Sequence, residues 1–81
     1  MGATLPSASA ERRHLTEVDQ HIAAGRQRLQ NQEQLVEQLR AKGRPTDEAD
    51  NLLANLVSAL HALEYQRLLI LDELSRRQDD R

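Results

Sequence analysis

The chain has no cysteine, phenylalanine or tryptophan, and only one tyrosine, two prolines and three glycines in 81 residues. Without cysteine there is no disulfide framework, thiolate metal site or cysteine nucleophile, so stability must come from packing or association. With Tyr65 as the only aromatic residue, the chain lacks the rings that stack on bases or grip a planar cofactor. No run approaches the ~18 apolar residues needed to span a bilayer. The opening MGATLPSASAERR has no basic start followed by an apolar stretch. Cytoplasmic residence is the expectation. Charge of one sign is also missing: 11 Lys+Arg stand against 13 Asp+Glu, a formal net charge of −2, and no partner class follows from that balance.

What the chain does have is alanine, leucine, glutamine, glutamate and arginine, a mixture that favours helix and is typical of coiled coils. A chain of this length makes one domain at most, and two helices of this size enclose neither a deep core nor a roomy pocket, which weighs against an enzyme.

From Leu15 onward the residues Leu15, Val18, Ile22, Gly25, Leu29, Gln32, Val36 and Leu39 follow an unbroken heptad spacing of alternating threes and fours. The pattern stops at Ala41-Lys42-Gly43-Arg44-Pro45-Thr46, where basic residues, a glycine and a proline combine into a helix stop. Thr46 or Asp47 can cap a second helix whose first turn carries Asp47, Glu48 and Asp50, a charge that the helix dipole favours. A second seam then runs through Ala49, Leu53, Leu56, Leu60, Leu63, Arg67, Ile70 and Leu74.

Two seams of equal length joined by a few residues predict an all-α fold, an antiparallel two-helix coiled-coil hairpin. Its expected parts are a disordered lead-in over residues 1–8 and a hairpin over 9–78. Within the hairpin, helix 1 is expected at about 9–42, the turn at 43–46 and helix 2 at about 47–77, with a frayed end over 79–81. Counting outward from the turn places Val36 near Leu53 and Leu56, Leu29 near Leu60 and Leu63, and Val18 near Ile70 and Leu74, with the register open by half a heptad.

The stretch RHLTEVDQHIAAGRQRLQNQEQLVEQLRAKGRPTDEADNLL resembles a group of short proteins of α-proteobacteria such as rhizobia. The shared features are a His-Leu start, an HI-x-x-G-x-x-R-[LI] middle and a Gly-x-x-Thr turn. The likeness covers residues 13 to about 56. It implies a helical hairpin and a bacterial origin, and it brings no activity, cofactor or catalytic residue to transfer.

Residues that carry chemistry are scattered. His14 and His21 are seven apart, so they share a face but lie ~10 Å from each other, too far for one metal ion. Glu17 can join His21, but two ligands are too few, and His61 has only Glu64 nearby. No catalytic, cofactor or metal residue is assigned, no cofactor is expected and no small-molecule substrate is evident. The basic clusters Arg12-Arg13, Arg26 with Arg28, Arg40-Lys42-Arg44 and Arg76-Arg77 each have acidic neighbours. Arg13 can pair with Glu17, Arg76 with Asp72 and Arg77 with Glu73 at i, i+4 spacing. A solvated charged face is the preferred reading, and no base-reading motif is present, so specific nucleic-acid binding is not expected.

The seams hold three unusual residues. Gly25 makes sense if a large side chain such as Leu63 packs into the gap it leaves. Gln32 and Arg67 either tolerate partial exposure, with the guanidinium reaching water, or select register or oligomeric state. The second helix is also more apolar than one facing helix can cover. Leu52, Val57, Tyr65, Leu68, Leu69 and Leu71 are the candidate partner interface. A second copy is the cheapest cover, giving a homodimeric four-helix bundle. The function expected is therefore that of a noncatalytic interaction protein that self-associates or docks a helical partner. The alternative is a small nucleic-acid-associated regulator.

Overall fold

The computed structural model describes the backbone of residues 8–79 and the side chains of residues 8–77. Two helices, α1 (Ala8–Ala41) and α2 (Asp47–Asp79), fold back on each other as a hairpin. The expected lead-in lies outside the described residues apart from Ala8, which opens α1, and the expected frayed end does so apart from Asp79, which closes α2. Among the described residues no helix is long and apolar enough to cross a membrane.

The turn follows from its backbone chemistry. Gly43 adopts φ 69°, a left-handed conformation that costs glycine little and other residues more. Its N–H donates to Arg40 O at 3.0 Å while Arg44 N–H donates to Leu39 O at 2.9 Å, the two nested bonds of a Schellman motif. Carbonyls that the end of α1 would otherwise leave orphaned are thereby satisfied. Pro45 then keeps the chain extended. Thr46 occupies the N-cap: its carbonyl accepts the first bond of α2, from Asp50 N–H at 2.7 Å. Its hydroxyl donates to the Asp50 carboxylate at 2.8 Å, and Arg40 approaches the same carboxylate at 3.8 Å. Asp50 thus ties together the end of one helix, the turn and the start of the other.

Every position of both expected seams is buried or half-buried, and between Leu15 and Leu39 no other residue of α1 is. The core is one side chain thick: its best-covered apolar members, Val18, Ile22, Val36, Leu60 and Ile70, each keep 4–8% of their surface exposed. Val18, Ile22, Leu60 and Ile70 form one cluster, against which Leu15, Leu29, Leu63 and Leu74 pack. The residue over Gly25 is Leu60 rather than Leu63, with Leu60 Cδ1 3.4 Å from where a Cβ on Gly25 would stand. That shift of one helical turn falls within the half-heptad left open by the sequence.

Both polar seam residues have partners inside the hairpin. Gln32 is buried, and its Nε2 donates to Ala49 O at 2.9 Å across the two helices. Arg67 Nε donates to Asp19 Oδ1 at 2.6 Å, so its guanidinium is paired rather than simply solvated. No buried side-chain nitrogen or oxygen among the described residues lacks a hydrogen bond.

Candidate interaction surface

The two edges of the hairpin differ in kind. Along one edge Arg40 reaches Asp50 at 3.8 Å, Arg26 reaches Glu64 at 3.4 Å, and Arg67 reaches Asp19 at 2.6 Å. Arg26 and Arg40 are two heptads apart, as are Glu64 and Asp50, so one register satisfies both pairs. On this side α2 also leans inward: Asp50, Val57, Glu64 and Leu71, spaced by sevens, are half-buried beside the seam.

The opposite edge has no ion pair between the helices among the described residues. Near the turn, Leu35 and Leu52 lie exposed by 43% and 49% and line one open groove. Further along, Ala24, Gly25 and Ala59 leave a shallow groove of about 220 Å³ floored by Leu60 and rimmed by His21 and Arg28. The small residues Ala24, Gly25 and Ala59 open this dip between larger neighbours, with Leu56 and Leu63 also lining it.

The six residues singled out in the sequence do not form one patch. Tyr65, Leu68 and Leu69 cluster on the outer side of α2, exposed by 64%, 62% and 52%. Val57 and Leu71 are half-covered on the ion-paired edge, and Leu52 sits on the other edge with Leu35. Leu35 is the exposed apolar residue that sequence reasoning missed. Its position immediately before the seam residue Val36 was the available signal.

His14, His21 and His61 are all exposed, and among the described residues no three His, Asp or Glu side chains converge to hold a metal ion. Arg76 pairs with Asp72, and Arg77 Nε reaches Glu73 Oε2 at 3.3 Å, as their spacing predicts. Arg13 and Glu17 have the same spacing but make no such pair. Comparison with protein-family models, with curated proteins and with solved structures finds no match to the chain.

Proposed function

We propose that the protein is a noncatalytic interaction module whose second helix is its contact element, working by self-association or by docking another helix. The observation that carries this reading is the exposure of Leu52, Tyr65, Leu68 and Leu69 on one helix of a hairpin whose own core is a single seam. Burying a leucine is worth ~1.5–3 kcal/mol, so four large apolar residues left in water form a reserve of binding energy that the hairpin itself does not use. The likeness to α-proteobacterial hairpins is compatible with this role and adds no chemistry to it.

The test is the mass of the full chain in solution, by light scattering from ~10 μM to ~1 mM, beside Tyr65→Ser/Leu68→Ser/Leu69→Ser. Self-association through α2 gives the wild type a mass approaching twice 9.2 kDa and leaves the triple variant closer to the monomer at equal helicity. A wild type that stays monomeric throughout contradicts self-association. A dimer that the triple variant does not weaken moves the contact off those three residues.

A further inference from the structure

Six residues of α2, Leu52, Asn55, Ala59, Ala62, Gln66 and Leu69, recur at spacings of three and four and therefore share one stripe. Leu52 and Ala59 of the stripe line the two grooves on the edge that holds Leu35 and Gly25, and Asn55, Ala62 and Leu69 lie one step further out on the same side of α2. All six are exposed, none is charged, and neither side-chain amide has a partner among the described residues. Read from either end the order is the same: leucine, amide, alanine, alanine, amide, leucine.

Such a palindrome suits a two-fold antiparallel contact, in which residue i of one copy meets residue j of the other and j meets i, because it brings leucine to leucine, amide to amide and alanine to alanine. With the axis midway between Ala59 and Ala62, Leu52 of one copy lies against Leu69 of the other. Asn55 lies against Gln66 and Ala59 against Ala62, and each pairing occurs twice. The central alanines let the helices approach closely, each amide can both donate and accept, and the leucines close the two ends.

Within the stripe no charge opposes this alignment. No acid or base lies on the stripe between Glu48 and Glu73. Outside it, Glu48 comes opposite Glu73 of the second copy, whose charge Arg76 and Arg77 already offset, and within a turn of that same Arg76. The other edge has no comparable match, since docking there would dehydrate the side chains of three ion pairs.

We propose that two copies of the chain associate as an antiparallel, two-fold dimer through this stripe, a pairing that rests on the interaction reading above and names its partner. The stripe spans about 26 Å at 1.5 Å per residue. A contact of that length falls at the small end of stable interfaces.

The absence of cysteine makes the alignment directly testable in the full chain. Asn55→Cys and Gln66→Cys are prepared separately and mixed under mild oxidation. In the antiparallel dimer Asn55 and Gln66 of different copies are neighbours. Two copies of Asn55 are about 16 Å apart along the axis, well beyond disulfide reach. The mixture should therefore cross-link at least ten-fold more than either variant alone. Ala62→Glu, on a surface exposed in the single hairpin, should weaken dimerisation at least ten-fold without loss of helicity.

Efficient cross-linking of each variant with itself would overturn the antiparallel alignment. Dimer mass without cross-linking in the mixture would overturn the stripe while leaving self-association standing. A monomer at ~1 mM would overturn the dimer altogether.

Discussion

Replacing Gly25 with alanine should stabilise the hairpin, although the position faces the partner helix. Glycine inside a helix costs ~0.8–1.0 kcal/mol relative to alanine. The new methyl would stand 3.4 Å from Leu60 Cδ1, at the near end of ordinary van der Waals contact, so little has to move. Added dispersion there amounts to a few tenths of a kcal/mol at most. The net gain is ~1 kcal/mol, which for a chain of this size raises the melting temperature by ~4–8 °C.

Thermal unfolding followed by far-ultraviolet circular dichroism at a fixed low concentration measures it. Gly25→Leu is the counterpart. It extends a side chain past a point where the Cβ is already in contact, so it should cost ~1–3 kcal/mol through overpacking. A Gly25→Ala variant that melts below the wild type would refute the reasoning, because it would mean that the helices approach more closely at this level than Leu60 over Gly25 allows.

Three further substitutions test other joints of the fold. Gly43→Ala forces a side chain into φ 69° and should cost ~1–2 kcal/mol in denaturant titration, with Gly43→Asn milder. Gln32→Leu removes the cross-helix bond but orphans nothing, since Ala49 lies within α2 and its carbonyl keeps its helical bond. Stability should hold or rise slightly, while a loss of register appears as doubled amide resonances in NMR spectra. Asp19→Asn breaks a half-exposed pair with Arg67 and should cost no more than ~1 kcal/mol, a difference that fades in high salt.

The seams were legible in the sequence because a heptad pattern states which residues face inward whatever the partner does. Leu15 to Leu39 bury as their spacing requires, and Gly43 ends α1 as its place before Pro45 suggested. Rotation of α2 was not legible. Asp50, Val57, Glu64 and Leu71 are drawn inward on the edge where Arg40 reaches Asp50 and Arg26 reaches Glu64. Those pairs depend on a register that local spacing leaves open. For the same reason Leu63 was the expected neighbour of Gly25 where Leu60 is found, and the partner of Arg67 could not be named. The surplus of apolar residues on α2 was visible, but its division between two edges and an outer cluster required knowing which way the helix faces.

Isotope-filtered nuclear Overhauser measurements on an equal mixture of labelled and unlabelled chains test the account most directly, because they separate contacts within a hairpin from contacts between copies. Signals between Val18 and Ile70 and between Gln32 and Ala49 should arise within one chain, and those between Leu52 and Leu69 and between Ala59 and Ala62 between chains. Seam contacts appearing between copies would instead describe extended or exchanged helices and contradict the hairpin. Intrachain seam contacts without any crossing signal from Leu52, Ala59, Ala62 or Leu69 at millimolar concentration would leave the hairpin intact and remove the dimer.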